Sequence, residues 1–297
     1  GQEDIPMTLE NDKRLAVLID ADNVSHHNLR GIMEEIARYG TPTYKRIYGD
    51  WTRPHLSGWK GMLLEFAITP IQQYGYTTGK NSTDSAMIID AMDILYSGNV
   101  DGFCIVSSDS DFTRLAIRLR ESGMRVIGIG EKKTPTPFIT ACEKFIYTDI
   151  LTGSSRGGDG SRSEETAGEG RTESAIETAA GSTGAGHAVP AKSAGREGGK
   201  SAQETKQAQA ASKRSMRTIV SLIAASIDAV SDDSGWAYLG EVGALILKTR
   251  PDFDPRNYGF SKLAQLIRSL NQFEVENREN PDGQMNGKLV FVRNKKG

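Results

Sequence analysis

The sequence predicts a doubly wound α/β domain built on a parallel sheet, then a disordered linker, then a smaller domain of three helices and a β-hairpin. Three observations predict this. Residues 13–150 alternate short Val/Ile-rich runs with amphipathic stretches, the pattern of parallel strands covered by helices on both faces. Residues 151–212 are mostly Gly, Ser, Ala, Glu, Thr and Lys, and no Phe, Tyr or Trp stands between Tyr147 and Trp236. Such a segment cannot bury enough apolar surface to offset its ordering entropy. Apolar periodicity returns over residues 213–294.

In the first region, strands are expected at RLAVLID (ending at Asp20), TYKRIYGD (Asp50), PIQQYG (Gly75), GFCIVSS (Ser108), MRVIGIG (Gly130) and KFIYTD (Asp149). Helices fall between them, over Asn28–Tyr39, Leu56–Ala67, Thr83–Tyr96, Phe112–Glu121 and Phe138–Cys142. Right-handed crossovers leave a sheet most simply ordered 3-2-1-4-5. Strands 1 and 4 are then neighbours where the winding reverses, and ligands of such sheets bind at the strands' carboxyl ends at that point.

The acidic residues converge there. Strand 1 ends in LIDADN, with Asp20, Asp22 and Asn23; strand 4 ends in SSDSD, with Asp109 and Asp111. In STDSAMIIDAMDILY, residues Met87, Ile88, Ala91, Met92, Ile94 and Leu95 form one apolar arc, and Asp84 projects from its centre at the helix start. Asp90 falls on the helix flank and Asp93 on the solvated face. Asp109 and Asp111 could serve as capping acids, but Asp20 follows an apolar run, where a buried charge is costly. Asp20, Asp84, Asp109 and Asp111, with no His or Cys beside them, make an oxygen-only site that favours Mg²⁺ or Mn²⁺ over zinc. The expected reaction is phosphodiester hydrolysis assisted by the cation. Arg53, after strand 2, and Lys80, before the Asp84 helix, are candidates to hold the substrate.

The bulk properties are compatible with this. The 297 residues carry a formal net charge of −2, room for two domains, with no blanket of positive charge for phosphate. Cys104 and Cys142 lack metal-type spacing and read as reduced core thiols. The opening GQEDIPMTLENDKR shows no signal peptide, and no apolar run reaches the length needed to span a bilayer. A soluble, cytoplasmic protein is expected, its oligomeric state left open.

In the second domain, MRTIVSLIAASIDAV gives a helix with apolar Ile219, Ile223, Ile227 and Val230. LGEVGALILKTR gives a second helix and FSKLAQLIRSL a third. FEVEN and KLVFVR are strands joined by NPDGQMNG, whose Gly, Asn and Pro suit a hairpin loop. Three helices and a β-wing form a winged helix, a frequent nucleic-acid-binding plan.

LIDADN, the K-x-x-x-D spacing of KNSTD, and VSSDSDF resemble the signatures of NYN domains, PIN-like nucleases of the LabA and limkain type. The resemblance covers about residues 13–150. It implies a metal-dependent ribonuclease with carboxylates at Asp20, Asp84, Asp109 and Asp111, with Asn23 orienting water or a phosphate. GDWTRPHLSGW also looks family-like and implies substrate contact by Arg53 and Trp51. In the second domain, GWAYLGEVGALILKTRPDFDPRNYGFSKLAQLIRSL resembles the OST-HTH, or LOTUS, domain. This implies RNA binding, with Arg256, Tyr258, Lys262 and Arg268 as candidate contacts; a protein partner for this module stays open.

Two other readings compete. Asp20-Ala-Asp22-Asn23-Val24 satisfies the DxDx(T/V) pattern of haloacid-dehalogenase-like phosphatases, with Asp20 as nucleophile. A non-catalytic scaffold would use the carboxylates for a structural cation. A dinucleotide oxidoreductase is disfavoured, since LIDADN stands where a glycine-rich turn belongs. The linker, with an r.m.s. span on the order of 40 Å, suggests a tether that leaves the first domain free to reach its cleavage site.

Overall fold

The computed structural model describes residues 13–74, 82–151, 216–279 and 288–295. Strands β1 (Arg14–Asp20), β2 (Thr41–Gly49), β3 (Thr69–Gln72), β4 (Gly102–Val106), β5 (Arg125–Gly130) and β6 (Lys144–Tyr147) form a parallel sheet ordered β3-β2-β1-β4-β5-β6. This is the expected order, with β6 added beside β5. Between the strands run α1 (Leu29–Ile36), α2 (Trp59–Glu65), α3 (Ser82–Ser97), α4 (Thr113–Glu121) and α5 (Thr136–Ala141).

Alternation along β1 divides the core. Leu15, Val17 and Ile19 join Cys104, Val106, Ile127 and Ile129 under α1 and α2. Ala16 and Leu18 join Phe103, Ile105 and Val126 beneath α3, α4 and α5. Successive strand side chains point to opposite faces, so the next even residue, Asp20, falls on the α3 side. Both cysteines are free and buried, and burial pushes each thiol up to about 12.

The C-terminal domain comprises α6 (residues 216–230), β7 (Ala237–Tyr238), α7 (Leu239–Thr249), α8 (Leu263–Ser269), β8 (Phe273–Glu279) and β9 (Lys288–Asn294). The hairpin β8–β9 gains β7 as a third strand, in the antiparallel order β7-β9-β8. Ile223, Ile227, Val242, Ile246, Leu266, Ile267 and Val292 are fully buried. The expected linker and the hairpin loop NPDGQMNG lie outside the described residues. Among the described residues, no helix is long and apolar enough to cross a membrane.

Candidate metal centre

β1 and β4 pair in register through Ile19 and Val106. Their next residues, Asp20 and Ser107, therefore meet on the α3 face, where the Ser107 hydroxyl donates to Asp20 Oδ2 at 2.8 Å. The Asp109 N–H donates to Ser107 Oγ at 3.1 Å, so Ser107 ties the two strand ends together. Gly130, at the end of β5, lets that strand approach: a Cβ there would stand 2.6 Å from the Ser107 carbonyl oxygen.

Asp20 is 1% exposed. Asn23 Nδ2 donates to its Oδ2 at 2.7 Å and the Asp22 N–H to its Oδ1 at 3.1 Å. Burial raises its pKa, and the hydrogen bonds from Asn23, Ser107 and Asp22 only partly offset this.

Asp84 stands in the first turn of α3 on the stripe that continues through the buried Met87, Ala91 and Ile94. It is 8% exposed. Its carboxyl is pushed up to about 6, first by burial and then by the negative charges of Asp20, Asp109 and Asp111. Asp109 caps the 3₁₀ turn Ser110–Phe112 by accepting the Asp111 N–H at 2.9 Å. Capping and convergence are thus the same geometry: the cap turns both acids toward α3.

Asp84, Asp109 and Asp111 each offer a carboxylate oxygen, and these oxygens lie within 4.8 Å of one another. Like charges this close repel unless a cation or proton intervenes. The three grade from buried through half-buried to exposed, which opens the cluster to solvent on one side. Three hard oxygen donors with an open side fit Mg²⁺ or Mn²⁺. Asp20, expected as a fourth ligand, stands outside this trio; its charge acts on Asp84, and its oxygens already accept three hydrogen bonds.

The other expected site residues are spread more widely. Asn23 orients Asp20. Arg53 is half-exposed and ion-paired with Asp50 at 3.3 Å, and Asp50 also accepts from Thr52 and Gln72. Trp51 is half-buried, its indole N–H donating to the Ile71 carbonyl at 3.0 Å. With Arg53 and Lys60 it lines a cavity of about 670 Å³ on the α2 side. Lys80 lies outside the described residues. Lys262, before α8, is exposed and makes no ion pair among the described residues. Tyr258 packs against Phe253, ring centroids 6.1 Å apart, and Arg268 donates to Asn277 at 3.0 Å.

Arg256 is engaged elsewhere. Asp254 caps the turn Pro255–Tyr258, which closes at Gly259 with φ 84°, a conformation that suits glycine. The turn projects the Arg256 guanidinium onto Glu35 of α1. Two more contacts join the domains: the Phe145 N–H donates to the Pro251 carbonyl at 2.9 Å, and the Tyr147 hydroxyl donates to Asp252 at 3.0 Å. The C-terminal domain therefore rests against α1 and the sheet edge β6, whereas the linker composition suggests a free tether.

Three further residues escaped sequence reasoning. Ser107 is an ordinary strand-end serine by sequence. Asp90, expected on a helix flank, accepts from Arg46 and from the Tyr48 hydroxyl. His55 Nε2 stands 3.7 Å from Asp22, tying the loop after β2 to the loop after β1.

Comparison with known families matches residues 14–151 to the NYN domain and residues 211–284 to the OST-HTH/LOTUS domain. Among solved structures, the chain is similar to a protein of unknown function from Vibrio parahaemolyticus. The two are 18% identical over 48% of this chain and 96% of the other, with a TM-score of 0.40. An uncharacterised protein from Nitrosomonas europaea is 36% identical over 26% of this chain and 72% of its own, TM-score 0.24. A Chromobacterium violaceum protein is 34% identical over 25% and 76%, TM-score 0.21. No curated protein matches. With strand order and sequence motifs in agreement, the chain carries an NYN domain, of PIN-like α/β fold, followed by an OST-HTH/LOTUS domain.

Proposed function

We propose that the protein is a Mg²⁺- or Mn²⁺-dependent endoribonuclease whose C-terminal domain recruits the RNA. The observation that carries this reading is the approach of Asp84, Asp109 and Asp111 to within 4.8 Å at the β1–β4 switch point of an NYN domain. Working domain limits of 13–150 and 213–294 follow from the same composition and periodicity.

Asp84, Asp109 and Asp111 would hold the cation. When bound, it supplies Lewis acidity toward phosphoryl oxygens and makes water a better nucleophile at neutral pH. The chain's own contribution is preorganisation. Ser107 and Asn23 hold Asp20 in one orientation, and Asp20 sets the negative field behind Asp84. Asp109, fixed by the Asp111 and Ser107 hydrogen bonds, keeps its place without reorganising during the reaction. Arg53 and Lys262, both exposed, would meet phosphates at separate points of the strand.

The phosphatase reading is disfavoured by Asp20: a nucleophile that must be phosphorylated cannot be 1% exposed with both oxygens engaged.

The test is cleavage of end-labelled single-stranded RNA with Mn²⁺, Mg²⁺ or EDTA, alongside Asp20→Asn and Asp109→Asn proteins. Cation-dependent internal cutting, lost in both variants, is expected. RNA binding without cutting in either cation would replace the nuclease with a scaffold.

A further inference from the structure

We infer that the crevice between β6 and α7, walled by both domains, binds a free nucleotide and holds it by its phosphates. This site is independent of the acidic cluster and of whether the chain cuts RNA.

The crevice encloses about 500 Å³, a size suited to a small ligand. Arg125 and Lys144, the first residues of β5 and β6, place it at the amino ends of the strands. The acidic cluster sits at their carboxyl ends. Lys248 of α7 lines the crevice from the C-terminal domain, and Arg120 of α4 completes the cationic lining. Glu143 is the acid among the lining residues, and Arg125 already pairs with it at 3.3 Å. Four cations against one acid leave three positive charges around one cavity.

The neighbouring charges do not cancel this excess. Glu35 and Asp254 attract Lys144, but Arg256 bridges both acids and Arg38 pairs with Glu35 at 3.2 Å. Those two acids and two guanidinium groups balance among themselves. Lys144 is half-buried, its ammonium 5.8 Å from the centroid of the Tyr39 ring. It makes no ion pair among the described residues, and neither does the exposed Lys248. Burial holds the Lys144 ammonium below the usual lysine range, and Asp254 and Glu35 only partly restore it. A cation drawn from water without a close acid is costly, and a phosphate offsets that cost.

The cations surround a cavity instead of following a line, which suits a compact anion. A phosphomonoester brings roughly −2 at neutral pH. Tyr39, Leu247 and Pro251 give a base and ribose apolar walls. Because both domains contribute walls, a bound nucleotide favours the docked arrangement and couples nucleotide level to the contact between the domains.

The test is calorimetric titration of the full chain with ADP and GDP in EDTA, which keeps cation-bound nucleotide off the acidic cluster. Adenosine and inorganic pyrophosphate should each bind about tenfold more weakly than ADP or less. Lys248→Ala and Lys144→Met should each weaken ADP about tenfold or more. If Lys144→Met melts early, Lys248→Glu carries the test with a larger loss, since that side chain is exposed. Photolabelling with azido-ADP should mark α7 and the residues around β6. No binding of either nucleotide, or unchanged affinity in folded Lys248→Glu, would overturn the site. So would labels confined to the Trp51–Gln72 cavity. Pyrophosphate binding as tightly as ADP would overturn the nucleotide in favour of a plain anion site. Displacement of ADP by 5′-phosphorylated but not 5′-hydroxyl RNA would overturn it in favour of an RNA end.

Discussion

Arg256 and Glu35, 221 residues apart, form a two-pronged pair in which Nη1 reaches Oε2 at 2.8 Å and Nη2 reaches Oε1 at 2.7 Å. Asp254 accepts from the same guanidinium at 2.7 Å. Glu35 is 3% exposed. Burial works against its charge, but the hydrogen bonds and charge of Arg256 outweigh that and hold its carboxyl below the usual range.

Removing Arg256 therefore takes the guanidinium from Asp254 and leaves the buried Glu35 with only Arg38, at 3.2 Å, and the Tyr39 hydroxyl. Arg256→Ala is expected to cost about 3–5 kcal/mol in urea unfolding of the full chain, and Arg256→Lys to recover only part, since an ammonium cannot span both partners. Glu35→Gln in the Arg256→Ala background should return some of the loss, a coupling that a double-mutant cycle measures. After cleavage at a protease site placed in residues 152–215, the two domains should co-elute in the parent and separate in Arg256→Ala. Separation in both would mean that this contact does not hold the domains together.

Asp84 links stability to pH with an unusual sign. Its folded pKa of about 6 lies above the ordinary 3.8, so the fold favours the protonated acid. The associated stability is fully present below about pH 4 and lost as pH rises through 6. Without added cation, Asp84→Asn should therefore raise the melting temperature at pH 8 and leave it nearly unchanged at pH 4, by roughly 2–4 °C per kcal/mol of relieved repulsion. In the parent protein, Mn²⁺ should raise the melting temperature at pH 8 and progressively less below pH 6, because bound cation must displace the Asp84 proton.

Asp90 shares a helix with Asp84 and should behave oppositely. It holds Arg46 and the Tyr48 hydroxyl and takes no part in the acidic cluster. Asp90→Ala should cost about 2–3 kcal/mol, mostly by leaving the buried Tyr48 hydroxyl and the Arg46 charge without their acceptor, with Mn²⁺ affinity unchanged. Calorimetric titration of Mn²⁺ beside thermal unfolding separates the two roles.

Ser107 tests the preorganisation of Asp20. Ser107→Ala removes the bridge between the two strand ends and should lower cleavage by about tenfold, with the protein still binding RNA. Cleavage equal to the parent would show that Asp20 keeps its orientation from Asn23 and the Asp22 amide alone.

Most of the acidic sheet edge was legible because local pattern and environment coincide there. Six apolar runs became six strands, the first five in the expected order, and Asp84 betrayed itself as an acid on an apolar arc. Ser107 was invisible because a serine after a strand has no signature; its role comes from register with Asp20. Glu35 and Arg256 were illegible for a different reason. Their burial is created by a second domain, so α1 shows an ordinary surface glutamate and FDPR an apparently available cation. Asp90 has no signature in its own helix because its partners, Arg46 and Tyr48, sit on β2.

The most direct measurement is anomalous diffraction at the manganese edge from crystals grown with Mn²⁺ at pH 8. A peak coordinated by Asp84, Asp109 and Asp111 is expected, with no peak there in Asp109→Asn crystals. An empty cluster at saturating Mn²⁺, or a peak confined to other acids, would contradict it.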